Sequence, residues 1–389
     1  MVYDRPHDMM VEESHDESAR MGFVADFKRF LTNELSGGSG ALYQRRVRPH
    51  LTKELGREPT RHEIRGTIRH EPYFQAVSAL RRTSQEMIWD SSGKCVERQL
   101  PALVDRSRRY ATKAAGANRL RLNPDLEMPR YLSAVDIHCM PGSYQGELEA
   151  GDDVFAGAMY DRGVHLYRAK SRPTVNDSNG TFMVSWLAER FPGFTPKRAL
   201  DMGCGIGNAT LRYAQSWPDA EIHAIDVGAA MLRYGHARAE SLNTPLSFSQ
   251  QNAERTEFAD ESFDLVVSFL LLHETSNRAL RNIFRESHRL LAPGGVMVHV
   301  DSLPYADLSP WDQFVPDWDT HYNGEPFMGA LHDLDLRQIA KDAGFQDKEI
   351  FEERPRHPGM SPHLKGANHS NDGNVNGEFL NLVAIRGER

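Results

Sequence analysis

Residues 198–208 read Arg-Ala-Leu-Asp-Met-Gly-Cys-Gly-Ile-Gly-Asn. A short apolar run ends at Asp201, and glycines then alternate at Gly203, Gly205 and Gly207 before a segment with helical spacing. The pattern predicts a strand, a glycine turn and a helix. Glycine adopts backbone angles that other residues avoid and lets the main chain approach a ligand closely. A ligand that carries adenosine is the natural occupant of such a turn, although a tight turn that binds nothing would have the same glycines.

The composition is that of an ordinary globular protein. The chain has 389 residues, of which 40% are hydrophobic and 26% charged, and its length favours two structural units. No apolar run is long enough to cross a membrane, and the first residues show no basic-then-apolar signal pattern. We therefore expect a cytoplasmic protein that is not associated with a membrane.

Cysteine content and charge argue against several other classes of protein. The three cysteines Cys95, Cys139 and Cys204 are too few for a disulfide framework and form no C-x-x-C pair, so no metal site is expected. The net charge of -8 argues against a nucleic-acid partner. The region 41–130 is nevertheless rich in arginine, which leaves a solvated helix face, an anionic ligand or a subunit contact as interpretations.

The first part of the chain is predicted to be helical. Residues 1–20 are polar and acidic, which is typical of a disordered tail. Helical spacing follows over 21–35, is interrupted by the glycine-rich residues 36–40, and returns over 73–89 and 96–114. We expect residues 21–175 to form a helical cap that serves substrate binding or dimerisation. Within it, 131–170 is rich in Tyr, His and Arg, which indicates either a binding segment or a packed connector.

From residue 176 onward a helix is followed by alternating strands and helices, the pattern of a parallel α/β sheet. Two irregular inserts interrupt this domain of residues 176–389: 302–330, predicted to be a lid, and 354–377, predicted to be a mobile loop. Strands are predicted at 198–202, 221–226, 246–250, 263–269, 295–301, 346–352 and 378–386.

Several landmarks follow the glycine turn in a fixed order. Asn208 replaces the last glycine of the G-x-G-x-x-G dinucleotide fingerprint, which argues against an NAD-dependent oxidoreductase. The second strand ends in Asp226, whose two oxygens could accept both ribose hydroxyls of adenosine. The remaining landmarks are Gln251-Asn-Ala-Glu254, Ser262–Phe269, Arg289-Leu-Leu-Ala-Pro-Gly-Gly-Val296 and Ala343-Gly-Phe345. Over about 180–389 this series resembles the class I S-adenosylmethionine-dependent methyltransferases, in the ubiquinone/menaquinone-biosynthesis-like subgroup.

The resemblance implies a Rossmann-like sheet of seven strands, the last antiparallel, with S-adenosylmethionine at the carboxyl ends of the strands. In the family's pattern Asp226 would bind the ribose, while Asn252, which departs from the frequent Asp, and Ala253 would contact the adenine. The cofactor-binding residues implied are Asp201, Gly203, Gly205, Asp226, Val227, Met231, Asn252, Ala253 and Phe269.

The methyl acceptor is less well defined by sequence. His273 lies in a loop that faces the substrate in this family, where it could be a general base or a structural residue that orients the loop. A carboxylate acceptor would need no base. Residue type and location suggest further substrate contacts at Tyr160, Tyr167, Arg168, Trp311, Trp318, His321 and Tyr322, with His138, Arg162 and His165 as further candidates. We predict methylation of a small-molecule oxygen.

Other functions remain open at this stage. They are N- or C-methylation of a small metabolite, RNA methylation, and a non-catalytic S-adenosylmethionine-binding partner protein. The apolar faces of the N-terminal helices also allow a homodimer.

Overall fold

A mixed eight-stranded sheet forms the centre of the C-terminal domain. The computed structural model describes residues 6–113, 119–148, 151–168, 174–244, 246–302, 304–305, 308–354 and 380–387. The strands are β1 (Leu120–Arg121), β2 (Arg198–Met202), β3 (Glu221–Asp226), β4 (Ser247–Gln250), β5 (Phe263–Phe269), β6 (Leu291–Asp301), β7 (Ile350–Glu353) and β8 (Leu380–Ile385). Their order in the sheet is β1-β4-β3-β2-β5-β6-β8-β7.

Strand pairing confirms the predicted fold class. β8 runs antiparallel to both β6 and β7, and the pairs from β1 to β6 are parallel. The predicted strands are all present, with small shifts at their ends. The difference is β1, a two-residue strand from the N-terminal region that adds an eighth member beside β4.

Helices cover both faces of this sheet. Alternate strand residues face opposite sides, so that Ala199 packs with one helical layer and Leu200 with the other. The first layer contains α8 (Ser178–Arg190), α9 (Thr210–Ser216) and α10 (Ala229–Ser241), and the second contains α11 (Asn277–Leu290), α13 (Met328–Leu331) and α14 (Leu336–Ala343).

The N-terminal region is helical, as expected. Its helices are α1 (His15–Phe30), α2 (Ser36–Leu42), α3 (Arg48–Leu55), α4 (Arg61–Ile68), α5 (Pro72–Lys113), α6 (Arg130–Ser133) and α7 (Phe155–Tyr167), with π-helical turns at Leu31–Leu35 and Tyr43–Val47. The two helices predicted over 73–89 and 96–114 are therefore one helix, α5. A buried apolar cluster joins α1, α5 and α7 to α10 of the sheet domain, so the helical region packs against the glycine-turn side of that domain.

Two predictions for this region are wrong. Residues 36–40 were expected to break the helix, but α2 runs through them. Gly38 has no Cβ, which lets the Tyr73 side chain lie directly against this helix. A Cβ at Gly38 would lie 2.1 Å from the Tyr73 hydroxyl oxygen, and that hydroxyl donates to the Leu35 carbonyl. The tail predicted to be disordered is ordered from residue 6 onward. Met9 and Val11 are buried, which anchors the segment, whereas residues 1–5 lie outside the described part of the chain.

The two predicted inserts have different outcomes. Residues 302–330 contain α12 (Pro310–Asn323), so about half of this segment is one helix rather than an irregular loop. α12 packs on the N-terminal helices, where the Trp318 Nε1 donates to Ser78 Oγ at 2.9 Å. The predicted mobile loop at 354–377 lies, except for Arg354, outside the described residues. In the part of the chain that the structure describes, no helix is both long and apolar enough to cross a membrane.

Candidate active site

The glycine turn after β2 requires its glycines. Gly203, Gly205 and Gly207 all have positive φ, at 69°, 55° and 75°, a region that side chains with a Cβ rarely adopt. A Cβ at Gly203 would also lie 2.5 Å from a methyl carbon of Leu271. The turn is therefore a tight backbone loop at the carboxyl end of β2, with main chain exposed toward the cavity described below.

Asp226 at the end of β3 holds this turn in place. One carboxylate oxygen accepts from the Gly205 N–H and the other from the Gly228 N–H, each at 2.9 Å. Burial raises the pKa of the Asp226 carboxyl, and the three backbone N–H groups of Gly228, Gly205 and Val227 oppose that rise. A carboxylate has about four acceptor positions, so Asp226 can still accept from a ligand hydroxyl.

Asp201 lies beneath the turn. It is buried and accepts from the Thr210 hydroxyl at 2.6 Å. Burial raises the pKa of the Asp201 carboxyl to about 7; the Thr210 hydroxyl opposes this rise and the charge of Asp226 adds to it. The two carboxyl groups together make this end of the site favourable for a cation.

One cavity brings the predicted cofactor residues together. The nine residues share its lining; they are Asp201, Gly203, Gly205, Asp226, Val227, Met231, Asn252, Ala253 and Phe269. Asn252 accepts from the Glu254 N–H at 2.8 Å through its side-chain oxygen, which leaves its amide NH₂ to donate elsewhere. Their roles toward the cofactor stay predictions, but their positions around one space are those that the roles require.

The same cavity continues into a chamber lined by polar aromatic residues and carboxylates. Tyr144 donates to Glu274 Oε1 at 2.9 Å, and Tyr167 donates to Glu325 Oε1 at 2.7 Å. His138 lies between the two carboxylates, with Nε2 at 2.7 Å from Glu274 Oε1. Its segment comes from the N-terminal region, so both parts of the chain build this chamber.

His273 is held from two sides by acids. Its Nδ1 lies 2.7 Å from Asp301 Oδ1, and its Nε2 lies 3.5 Å from Glu274 Oε1. Burial alone would lower the pKa of His273, but Asp301 and then Glu274 raise it well above the usual value. The two acids favour the protonated imidazole, which has no lone pair to accept a proton, so this geometry speaks against His273 as a general base.

The structure separates the predicted substrate residues into two groups. Tyr160, Tyr167, Arg168 and His273 line the cavity, as does His138. Residues of α12 and of the buried centre of α7 lie elsewhere; they are Trp311, Trp318, His321, Tyr322, Arg162 and His165. They do not line the cavity, so the substrate contact predicted for them is wrong.

Packing explains why the aromatic residues of α12 were misassigned. The Trp311 ring stacks on Tyr43 with centroids 4.4 Å apart, and Trp318 packs on Phe74 at 5.4 Å. These rings join α12 to the N-terminal helices. Composition alone does not distinguish aromatic residues that pack between helices from those that contact a ligand.

Four functional candidates were missed by sequence reasoning: Tyr144, Glu274, Asp301 and Glu325. Glu274 lies in the short turn before α11 and does not cap that helix, because Ser276 does so by accepting from the Ala279 N–H. A signal did exist for Asp301, because it ends β6 as Asp226 ends β3. Tyr144 and Glu325 lie in turns without periodicity, so no local pattern marks them.

Comparison with known proteins agrees with this geometry. A protein-family profile described as "Methyltransferase domain" matches residues 199–295. The C-terminal half of the chain contains a class I methyltransferase domain. The expected resemblance to this family is confirmed, and ubiquinone/menaquinone biosynthesis methyltransferases are among the relatives.

Individual relatives resemble only part of this chain. A malonyl-[acyl-carrier protein] O-methyltransferase of Dechloromonas aromatica is 32% identical over 42% of this chain and 57% of the relative. A ubiquinone/menaquinone biosynthesis C-methyltransferase of Dinoroseobacter shibae is 30% identical over 43% and 66%. A solved structure of Haemonchus contortus phosphoethanolamine N-methyltransferase 2 in complex with S-adenosyl-L-methionine has 20% identity, covers 53% of this chain and 52% of that one, and has a TM-score of 0.40. The chain thus spans between about half and two thirds of these relatives.

The methyltransferase family uses S-adenosylmethionine, and the residues present here fit it. When bound, this cofactor supplies an electrophilic methyl group on a sulfonium. The main chain of Gly203 and Gly205 would leave room for close approach, Asp226 would offer acceptors for ribose hydroxyls, and Asp201 would offer a carboxylate for the ammonium group. Met231, which lines the cavity, would supply an apolar contact for the adenine.

The raised pKa of Asp201 predicts that cofactor affinity depends on pH. A carboxyl with a pKa of about 7 is mostly neutral at pH 5, while the ammonium of the cofactor favours the ionised form. Affinity should therefore rise with pH from 5, by up to about tenfold per pH unit, and level off above about pH 7. Titration calorimetry at each pH measures this slope. Asp201→Asn does not titrate and should flatten it; an unchanged slope in that variant would contradict the assignment.

Proposed function

We propose that this protein is an S-adenosylmethionine-dependent methyltransferase that acts on an oxygen of a small molecule, a hydroxyl or a carboxylate. The observation that carries the proposal is the single cavity in which the cofactor residues meet a polar chamber. The described chamber is lined from both parts of the chain, by Trp89 and Leu132 as well as by Phe269. An acceptor that fits among such side chains is a small molecule rather than a macromolecule.

The residues of the chamber would bind and orient this acceptor. Arg168 and the Tyr160 hydroxyl would supply donors for acceptor oxygens, while the rings of Tyr144 and Tyr160, 5.9 Å apart, would supply an apolar wall. Positioning contributes most when the reacting groups are held close and aligned. We also propose that the segment containing Glu325 and Met328, which lines the cavity, acts as the lid expected for 302–330.

A second candidate, N-methylation, rests on a different observation. Glu274 and Glu325 lie within a chamber that also presents the rings of Tyr144, Tyr160 and Tyr167. Carboxylates beside aromatic faces attract an organic cation through charge and cation–π contact. The O- and C-methyltransferase relatives do not decide between acceptor atoms, so this alternative is tested together with the first.

Methyl transfer can be tested directly. The full-length chain is incubated with isotope-labelled S-adenosylmethionine and matched sets of phenols, carboxylic acids, amines and activated ring carbons. We expect labelled methyl ethers or esters, and none with the Asp226→Ala variant. Labelling of amines alone would favour the second candidate. Cofactor binding without any transfer across the panel would favour a non-catalytic cofactor-binding partner.

We further propose that two copies associate through α1. Phe23 and Phe30 on this helix are 58% and 49% exposed, and Phe23 stacks on Phe27 at 5.9 Å. Adjacent exposed rings indicate an association surface more than single ones do. Light scattering should give a dimer mass for the natural chain and a monomer mass for Phe23→Ser/Phe30→Ser. Leu148→Ser, at a residue 55% exposed outside α1, is the matched control and should leave the dimer intact.

A further inference from the structure

Three side chains that commonly bind metals converge in the chamber. His138 comes from a turn in the N-terminal region, while His273 and Glu274 lie in the turn after β5. His138 Nε2 is 2.7 Å and His273 Nε2 is 3.5 Å from Glu274 Oε1. The three ligand atoms lie within 4.8 Å of one another. Two ligands of one tetrahedral ion lie about 3.3 Å apart, so small shifts would place all three around a single ion.

The far nitrogen of each histidine faces a carboxylate. His273 Nδ1 lies 2.7 Å from Asp301 Oδ1, and His138 Nδ1 lies 3.3 Å from Glu325 Oε1. Asp301 is itself fixed, because it accepts from the Leu272 N–H at 2.9 Å. A metal-binding histidine almost always has its other nitrogen oriented by such a partner. Asp301 is hydrogen-bonded to His273 and so directs its Nε2 toward Glu274, whereas Glu325 lies within ion-pair distance of His138 Nδ1 without a hydrogen bond to it.

The carboxylate of Glu274 has binding capacity left over. Its Oε1 is shared by His138 and Tyr144, whereas its Oε2 is buried and accepts no hydrogen bond from any described residue. A buried carboxylate oxygen without a partner costs stability, and a cation would relieve that cost.

The backbone at His138 is also unusual. Its φ is 57°, which costs about 1–2 kcal/mol for a residue with a side chain. Such outliers concentrate at functional sites. This conformation belongs to the turn that brings the imidazole to Glu274.

We propose that His138, His273 and Glu274 bind one divalent transition-metal ion, with the remaining coordination positions open to the chamber. Two imidazoles and one carboxylate form a donor set of catalytic zinc and of non-haem iron sites. Three protein ligands leave at least one position for a ligand from solution. The orphaned oxygen and the two outer carboxylates are the observations that support an ion rather than a hydrogen-bonded cluster alone.

The role of the ion, unlike its binding, rests on the proposed function. A hydroxyl acceptor would coordinate through its oxygen, which lowers the pKa of the hydroxyl. Its O–H bond breaks, the oxygen–metal bond forms with the electron pair of the oxygen, and the proton leaves to bulk water. This would supply an ionised acceptor in a site where Nε2 of His273 is occupied by the ion and is not free to act as a base.

Metal binding is tested without cofactor or acceptor. The full-length, untagged protein is treated with a chelator, and Zn²⁺, Mn²⁺, anaerobic Fe²⁺ or Mg²⁺ is titrated by calorimetry, with Co²⁺ followed by its visible absorption. We expect one equivalent of a transition metal per chain, and weaker Mg²⁺ binding. Glu274→Gln and His138→Gln should each lose at least about 100-fold in affinity, the upper end of what an outer partner costs. His50→Gln changes an exposed histidine and is the matched control with unchanged affinity.

Several outcomes would overturn the inference. They are no stoichiometric transition-metal binding to folded protein, equal affinity for Mg²⁺, or unchanged affinity in Glu274→Gln that melts like the natural chain. S-Adenosylhomocysteine binding, measured in a separate titration, reports on the proposed function. Metal binding without cofactor binding would therefore reject the methyltransferase and keep the metal site, and the reverse would reject the metal site alone.

Discussion

Replacing Asp226 with alanine is expected to lower the affinity for S-adenosylmethionine by at least about 100-fold. Two effects combine. The variant loses the acceptors for two ribose hydroxyls, and hydrogen bonds to a charged group contribute about 1.5–3 kcal/mol each, where about 1.4 kcal/mol is tenfold. It also loses the acceptors for the Gly205 and Gly228 N–H groups, so the glycine turn is no longer held to the end of β3.

Titration calorimetry with S-adenosylmethionine measures this loss, and thermal unfolding shows whether the fold survives. Asp219→Ala is the matched control, because Asp219 is exposed in the same domain and does not line the cavity; its affinity should equal that of the natural chain. Asp226→Asn keeps one oxygen acceptor, so its affinity should lie between those of Asp226→Ala and Asp219→Ala. Unchanged affinity in a folded Asp226→Ala variant would remove Asp226 from the cofactor site.

The cofactor half of the site was predictable because its signals are local. A glycine turn after a strand, and an acid at the end of the next strand, are each visible within a few residues. Parallel strands then bring these ends to one edge of the sheet, which the pairing of Asp201 with Ala224 in β3 illustrates. Sequence position therefore translated directly into position in space.

The acceptor half was not predictable to the same degree. His138 and Glu274 are separated by 136 residues, and both lie in short turns that carry no hydrophobic period. Only tertiary packing of the helical region against α10 brings them together. The sequence shows the residue types but not that they lie close together in space. The proposed metal site contains no cysteine, so cysteine spacing could not predict it.

Some errors had signals that were overlooked. Ser309 caps the start of α12, because its side chain accepts from the Asp312 N–H. Pro310 is the first residue of the helix, and Gly324, with φ of 76°, follows its last residue. Serine at the cap, proline at the first helical position and glycine after the last are the ordinary marks of a helix. Their presence would have identified a helix inside the predicted lid.

The close packing of α8 on the glycine turn leads to the second large prediction, which concerns Gly180. A Cβ at this buried position would lie 2.2 Å from the Ala209 carbonyl oxygen and 2.9 Å from its Cα. These are backbone atoms at the end of the turn, so no side-chain rotation relieves the clash, and α8 would have to move. We expect Gly180→Ala to lower the free energy of unfolding by about 1–3 kcal/mol, despite the better helix propensity of alanine.

Urea unfolding of Gly180→Ala and of a matched control distinguishes the steric clash with Ala209 from the effect of the helix propensity of alanine. Gly66→Ala makes the same change inside α4, at an exposed position where a Cβ meets nothing within 4 Å, and should raise the free energy of unfolding by about 1 kcal/mol. Because Asn179 and Ala209 both line the cavity, a displaced α8 should also weaken cofactor binding in the first variant and not in the second. Equal unfolding midpoints for the two variants would mean that α8 does not pack against the turn as described, and that the cofactor cradle does not depend on this contact.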